Sequence, residues 1–404
     1  MRIALGMSGG VDSTVAACLL RAQGHTVIGV TMQIWDGRFQ AEPLSPSGTA
    51  AGMPCQSGCY GPGEPQVLAH AAALARRLGL EHHIVPLAAE YRRLVLDYFT
   101  AEYLAGRTPN PCVVCNRAIK FGLLPERLRA AGVEFDAFAT GHYARVGRNP
   151  QTGLFDLRRG ADRLKDQSYF LFYLNQQQLG RLILPLGDMT KVAVKELARQ
   201  YGLQELTERS ESQDFMGGAD YGALFQPAAA RPGPIVDEAG RVLGEHRGII
   251  HYTIGQREGL GIAAGHRLFV KELRPETNTI VLAERTAVMR SSCMVENVRW
   301  IAGSPPEMDA QAGSLHYKRR AEEAQAGSLH YKGRVQAGSP CRQVLCRVQL
   351  RYRHAGAPAA LELLEAGRVR VSFDAPQFAV TPGQAAVFYR DDEVLGGGWI
   401  GGPG

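Results

Sequence analysis

Residues 6–13 read Gly-Met-Ser-Gly-Gly-Val-Asp-Ser, directly after a short apolar run at 3–5 and directly before a helical pattern at 14–21. A strand that turns through glycines into a helix start makes a pocket for an anion. Gly9 and Gly10 let the backbone approach a ligand with no Cβ in the way. Ser8, Ser13 and the first helix amides can donate to phosphate oxygens, and the helix dipole favours negative charge there. Successive amides in such a turn form a nest for phosphate. No Gly-Lys-Ser/Thr closes the loop, so this is not the Walker arrangement. A plain tight turn with a capped helix would not need two serines, two glycines and an aspartate at this spacing.

The next apolar run, residues 26–31, reads as a buried strand, which makes a βαβ unit and implies a parallel sheet. Ligands of such sheets sit at the carboxyl ends of the strands, where the glycine loop lies. Met32 follows the second strand and can either pack on a nucleotide or fill core. Residues 36–65 are rich in Pro, Gly and Ser and read as a long loop carrying Cys55 and Cys59. Helices are expected at 66–78, 90–104 and 190–201, with Thr190 as a cap, and strands at 83–87 and 136–140. Residues 106–117, Gly-Arg-Thr-Pro-Asn-Pro-Cys-Val-Val-Cys-Asn-Arg, read as a loop, with helix following through 120–130. Residues 154–158 suggest half of a hairpin. The pattern changes near 206, and beyond about 284 short alternating strands at 344–353, 368–373 and 385–389 suggest a barrel or sandwich. Gln-Ala-Gly-Ser-Leu-His-Tyr-Lys at 311–318 recurs at 325–332 and begins again at 336, too short and irregular a repeat for a solenoid. It reads as a duplicated insertion, and His316 and His330 recur merely with their unit.

The chain has 404 residues, enough for two or three domains, with the 45% hydrophobic and 21% charged content of globular proteins. Its net charge of +6 is mildly basic and agrees with an RNA partner. Met1 leads straight into the first strand pattern and no apolar run reaches membrane-span length, so a cytoplasmic location, no membrane and no secretory signal are expected. Eight cysteines in that setting point to reduced thiols, catalysis or metal rather than a disulfide scaffold.

The 6–13 motif resembles the PP-loop of ATP pyrophosphatases, which cleave ATP between the α- and β-phosphates. Together with residues 106–117, 141–145, 165–171, 212–214, 252–261, Arg351-Tyr352 and Pro382-Gly383-Gln384, in that order, the chain resembles the tRNA-specific 2-thiouridylases over nearly its whole length. The resemblance implies an α/β fold in three parts. These are an N-terminal parallel-sheet PP-loop domain of the adenine nucleotide α-hydrolase-like kind at 1–205, a small central domain at 206–283, and a C-terminal β-barrel at 284–404 with the insertion near 311–340. It implies that ATP adenylates the C2 oxygen of the wobble uridine, and that a sulfur nucleophile then displaces AMP. ATP with Mg2+ would be held by Gly6, Met7, Ser8, Gly9, Gly10, Val11, Asp12 and Ser13, with Met32 and Gly141 lining the adenosine pocket. Asn110, Pro111 and Cys112 would meet the target base, which must leave its stack. His142, Lys165, Asp166, Gln167, Arg351, Tyr352 and Gln384 would contact tRNA, although Lys165 with Asp166 can also be a solvated pair. Expected partners are tRNA and a sulfur donor, relay protein or free sulfide, with no DNA and a monomeric chain.

The chain departs from the family pattern at its sulfur chemistry. The first catalytic cysteine is kept as Cys115, but Cys112 stands at the usual aspartate and Met216 at the second catalytic cysteine. A thioether neither carries a transferable sulfur nor forms a disulfide. Cys59, Cys112 and Cys115 can replace the relay in three ways: as ligands of a [4Fe–4S] cluster with one open iron, as a Cys112/Cys115 dithiol, or, with Cys55, as a zinc site. The expected catalytic set is Cys115, Cys112 and Asp12. Cys18, Cys293, Cys341 and Cys346 are expected to pack inertly. Two other readings stay open: another PP-loop adenylating ligase, and a non-catalytic RNA-binding iron–sulfur or zinc protein.

Overall fold

A computed structural model describes residues 1–37, 59–208, 216, 221–226, 230–306 and 343–402. Cys55, Cys341, the 212–214 motif and the 311–340 repeat lie outside the described residues.

The first half is a parallel sheet between helices. The chain runs β1 (Arg2–Gly6), α1 (Val11–Ala22), β2 (Thr26–Gln33), α2 (Glu64–Arg77) and β3 (Glu81–Pro86). Next come α3 (Ala88–Tyr91), a π-helical turn (Arg92–Leu96) and α4 (Asp97–Leu104). Then follow α5 (Pro111–Val114), a π-helical stretch (Cys115–Leu123) and α6 (Leu124–Ala130). β4 (Ala137–Thr140), the hairpin β5 (Ala144–Arg148) and β6 (Phe155–Arg159), α7 (Gln176–Leu179), β7 (Leu182–Ile183) and α8 (Lys191–Gln200) complete this half. The sheet order is β3-β2-β1-β4-β7, all parallel, so its order reverses at β1, where the glycine loop leaves. Strand side chains alternate between faces. Ile3 and Leu5 pack with α1 and α8, while Ala4 faces Tyr91, Val95 and Ile119.

The second half holds a four-stranded sheet and a barrel. The sheet contains β8 (Gly233–Val236), β9 (Val242–His246), β10 (Phe269–Arg274) and β11 (Thr279–Ala283). The remaining strands are β12 (Met289–Trp300), β13 (Gln343–Gln349), β14 (Ala357–Leu363), β15 (Val369–Phe378), β16 (Ala385–Arg390) and β17 (Glu393–Ile400). They pair in the order β12-β15-β14-β13-β16-β17, and β17 pairs back to β12, closing an antiparallel barrel. Closure removes the exposed edges. The hairpin β5–β6 is attached to this barrel through Arg158 opposite Glu393, so a segment from the N-terminal half extends the C-terminal sheet. Among the described residues no helix is long and apolar enough to cross a membrane.

Two local differences from expectation have clear causes. α1 starts at Val11 rather than 14, because Gly10 is extended (φ −87°, ψ 166°) and serves as its N-cap. The stretch expected to be loop up to 117 becomes helix at Pro111, because Asn110 caps it by accepting from the Val113 amide at 3.4 Å and Pro111 fits a first helical position.

Asp166 is a structural residue. Its carboxylate accepts from Arg159 Nη1 (2.8 Å), the Gly160 and Ser168 amides (3.0 Å each) and Ser168 Oγ (3.0 Å), all in the interior. Arg159 in turn stacks 3.6 Å from the Tyr389 ring of the barrel. We predict that Asp166→Ala costs about 3 kcal/mol, since it leaves the half-buried Arg159 without its counter-charge and two interior amides without an acceptor. Denaturant unfolding reads this directly, and a loss below about 1 kcal/mol, the worth of a surface pair, would contradict it.

Candidate active site at the carboxyl edge of the parallel sheet

The glycine loop is closed on itself and open toward solvent. Ser13 Oγ donates to the Gly10 carbonyl (3.2 Å), accepts from the Ser8 amide (3.3 Å) and lies 3.4 Å from Ser8 Oγ. Thr31 Oγ1 donates to the Met7 carbonyl at 2.8 Å and lies 2.8 Å from His82 Nε2, bracing the loop from below. Gly9 has φ +75°, and a Cβ there would meet His70 of α2 at 2.9 Å. Gly141 fills a closer gap: a Cβ would lie 2.8 Å from the backbone of Asp12 and Ser13, so the end of β4 packs against the first turn of α1. No side chain caps α1, which leaves its first amides to an anion.

Asp12 stands in that first turn. Both its oxygens accept from Lys191 Nζ at 2.8 Å, and Oδ1 accepts from Tyr143 Oη at 2.7 Å. Lys191 is buried at the start of α8, with its amide fixed by Asp162 at 2.9 Å. The sequence pattern placed a helix at 190–201 and gave no sign that Lys191 reaches back to Asp12. Gln167 supports this triad indirectly, by accepting from the Tyr143 amide at 3.0 Å. Met32 is half-buried against the core of the other face.

The thiols lie in two segments, Cys59 shortly before α2 and Cys112 with Cys115 at α5. Residues 34–36 leave β2, and Glu64 accepts from the Ile34 amide (2.7 Å) and the Trp35 amide (3.0 Å), joining the two ends of the connection. Burial raises the Glu64 pKa against these bonds. Cys59 is exposed beside Tyr60, whose ring stacks on Tyr91 at 5.5 Å. Cys112 is half-buried in α5, and Cys115, three residues on and on the same helical side, is buried. Burial pushes the Cys115 thiol up to about 11, Lys120 opposes the shift, and Cys59 adds to it. Burial also raises the Tyr91 hydroxyl, with charge on Cys115, Cys59 and Cys112 acting in the same sense. Among the described residues, however, no group of three or more His, Cys, Asp or Glu side chains is arranged to hold a metal ion. Nine residues of π-helix from Cys115 onward widen the turn there, an arrangement frequent at functional sites.

The accessibility of these thiols sets a testable order of reaction. Iodoacetamide is expected to alkylate Cys59 and Cys112 ahead of Cys115. Cys115 alkylation should rise about tenfold per pH unit up to its raised pKa, because only the thiolate reacts. Mass spectrometry of digests checks this, and Cys115 labelling first at pH 7 would refute the buried, protonated thiol.

The residues expected to touch tRNA are placed in different ways. Asn110 is buried: its amide lies 3.3 Å from Tyr98 Oη and its Nδ2 3.5 Å from Tyr169 Oη. Pro111 is buried behind it. His142 lies 2.7 Å from Thr140 Oγ1, and burial, then Lys120, holds its pKa well below the usual imidazole value. It is therefore a neutral hydrogen-bonding group. Lys165 is half-buried next to Asp166, which is committed to the interior. β13 ends at Gln349, so Arg351 and Tyr352 stand in the turn after it. Arg351 is exposed, and Tyr352 packs 4.6 Å from the Phe170 ring. Pro382-Gly383-Gln384 latches the barrel to the 106–110 loop. The Pro382 carbonyl accepts from the Thr108 amide at 2.8 Å, and Gln384 Nε2 donates to the Thr108 and Pro109 carbonyls at 3.2 Å each. Gly383 at φ +86° leaves no room for a Cβ, which would lie 2.9 Å from the Thr108 oxygen. Met216 is buried in a core cluster that also holds Cys115, and its thioether bars it from thiol chemistry.

Three family models match the chain: "tRNA methyl transferase HUP domain" over residues 1–216, "tRNA methyl transferase PRC-barrel domain" over 224–284 and "Aminomethyltransferase beta-barrel domain" over 329–400. Curated relatives named tRNA-specific 2-thiouridylase MnmA align end to end. The protein of Carboxydothermus hydrogenoformans is 39% identical over 99% of this chain and 97% of its own. That of Trichlorobacter lovleyi is 41% identical over 99% and 97%. Among solved structures, NMN synthetase from Francisella tularensis matches with a TM-score of 0.32 at 16% identity, over 55% of this chain and 70% of that one, too slight a likeness to bear on function.

Proposed function

This chain belongs to the tRNA-specific 2-thiouridylase family, and from that premise we propose that it thiolates the wobble uridine of tRNA at C2 with consumption of ATP. The observation that carries the reading is the glycine loop with its uncapped helix start, where Asp12 is held by Lys191, on a chain that also keeps Cys112 and Cys115 three residues apart in one helical segment.

In the first step Gly6, Met7, Ser8, Gly9, Gly10, Val11 and Ser13 hold the polyphosphate through backbone amides and hydroxyls. Mg2+, drawn to Asp12, would neutralise charge on the pyrophosphate leaving group. Met32 and the Gly141 turn border the adenosine. The uridine C2 oxygen attacks the α-phosphorus and pyrophosphate departs, so C2 now carries an AMP leaving group. The flipped base lies at Asn110, Pro111 and Cys112. His142, Lys165, Gln167, Arg351, Tyr352 and Gln384 border the tRNA, while Asp166 acts only through the fold.

In the second step a persulfide on Cys115 attacks C2 through its outer sulfur and AMP leaves. The Cys112 thiolate then attacks the inner sulfur. That forms a Cys112–Cys115 disulfide and frees the 2-thiouridine. A thiol reductant reopens the disulfide, and a sulfur donor or relay protein reloads Cys115. The i, i+3 spacing at a helix start suits such a pair. A second reading uses all three thiols, although the described residues show no group of three arranged to hold a metal ion. On that reading Cys59, Cys112 and Cys115 would ligate a [4Fe–4S] cluster, which supplies an open iron able to bind sulfide.

The test uses purified protein, an unmodified tRNA transcript with a wobble uridine, ATP, Mg2+ and a persulfide donor. Nucleoside mass spectrometry should find one 2-thiouridine per AMP and pyrophosphate released. No thiolation and no nucleotide use under argon would defeat the proposal. Anaerobic reconstitution with iron and sulfide discriminates the two sulfur routes: activity that requires bound iron establishes the cluster, and full activity without iron establishes the dithiol.

A further inference from the structure

Outside the pocket, two arginines share one aromatic ring. Arg117, two residues past Cys115, places its guanidinium carbon 4.7 Å from the centroid of Tyr173. Arg299, on barrel strand β12, places its own 5.0 Å from the same centroid. Among the described residues no carboxylate forms an ion pair with either. Burial lowers the Arg117 pKa, and the nearby positive charge of Arg299 lowers it further. Two like charges held together by a ring cost energy unless an anion joins them. Tyr173 holds both guanidiniums, Arg117 also through a hydrogen bond to its hydroxyl, and their remaining N–H groups are left to a ligand.

The position of the pair says which anion. Tyr173 lies 5.9 Å from Trp399, Trp399 lies 5.8 Å from Tyr98, and the Tyr98 hydroxyl is at hydrogen-bond distance from the Asn110 amide. The ring chain therefore runs from the loop that would meet the target base to the two arginines. The arginines come from opposite sides of the seam between the first half and the barrel. Arg299 is exposed and Arg117 half-buried, so the site opens to solvent. A ligand that places a base at one end of this seam places its sugar–phosphate chain along it.

We propose that Arg117, Tyr173 and Arg299 form a clamp for a backbone phosphate of the tRNA beside the nucleotide being modified. The clamp rests on the thiolation reading for the identity of its ligand. It is a binding element, and it takes no part in adenylation or sulfur transfer. Phosphate contacts fix register without reading sequence, so its loss should weaken all tRNA substrates alike.

The experiment measures binding of an unmodified tRNA transcript to the full chain by fluorescence anisotropy at several salt concentrations. Arg117→Gln and Arg299→Gln should each weaken binding about tenfold. The slope of log affinity against log salt should fall by about 0.7 for each contact removed. Arg→Lys at either position should restore the slope and only part of the affinity. An unchanged affinity and slope would overturn the clamp, and so would a weaker affinity with an unchanged slope, which marks a structural role. Should Arg117→Gln fail to fold, the exposed Arg299→Gln decides alone. Wild-type protein that binds the transcript and never thiolates it sinks the enzymatic reading and leaves the clamp standing. Wild-type protein that thiolates while the slopes stay fixed sinks only the clamp, and wild-type protein with no affinity for tRNA sinks both.

Discussion

Cys115→Ser is expected to reduce 2-thiouridine formation by roughly 10³-fold or more, the scale of losing a covalent nucleophile. Pyrophosphate should still be released once per enzyme, because adenylation precedes any use of the thiol. Burial holds the Cys115 thiol near 11, so at pH 7 it is overwhelmingly protonated. The dithiol scheme therefore has Cys115 enter as a loaded persulfide, a far stronger acid than a thiol, rather than as a free thiolate. Cys112→Ser should then stop at one covalent Cys115–S–S–tRNA adduct per enzyme, since no resolving thiol cleaves that S–S bond to free the 2-thiouridine. Cys59→Ser separates the routes, with little effect for a dithiol and complete loss together with iron for a cluster. Thiolation by Cys115→Ser within tenfold of wild type, followed as product per enzyme over many turnovers, would remove the thiol trio from the mechanism.

How much of this was legible depends on the range of the interactions. The glycine loop was readable because a strand, two glycines and a capless helix start are consecutive residues. The parallel sheet followed from the same local rule. The start of α5 was misread, because Asn110-Pro111 is both a turn signal and a cap followed by a first-turn proline, and only the Val113 amide decides between them. Long-range partners left no trace. Nothing adjacent to Lys191 points to Asp12, 179 residues away, and nothing in Pro382-Gly383-Gln384 says that it latches the 106–110 loop. Asp166 was expected to contact tRNA, with a solvated pair beside Lys165 as the alternative, and its carboxylate accepts from Arg159 and two amides. Side chains that meet across the fold are chosen by packing, and short motifs report only what a few neighbouring residues need.

Asp12→Asn should lower ATP-dependent pyrophosphate release by about 10²–10³-fold, the scale of losing one fixed electrostatic element of the site, here the carboxylate that would draw Mg2+ to the leaving pyrophosphate. The pair it breaks is geometrically tight, with Lys191 Nζ 2.8 Å from both oxygens and Tyr143 Oη 2.7 Å from one. The substitution also leaves a buried ammonium without its partner, worth about 3–5 kcal/mol of stability. Lost stability and lost catalysis would look alike in a single variant. The double change Asp12→Asn with Lys191→Met separates them, because it removes both charges and should recover most of the lost stability. If the pair only holds α8 to α1, activity recovers with stability. If the carboxylate draws the metal and the ammonium turns to the polyphosphate, the double variant folds well and stays slow. Lys191→Arg keeps the charge on a wider, planar head and should rescue stability better than rate. Pyrophosphate release measured beside thermal unfolding gives both quantities, and a stable, fast double variant would reduce the Asp12–Lys191 pair to architecture.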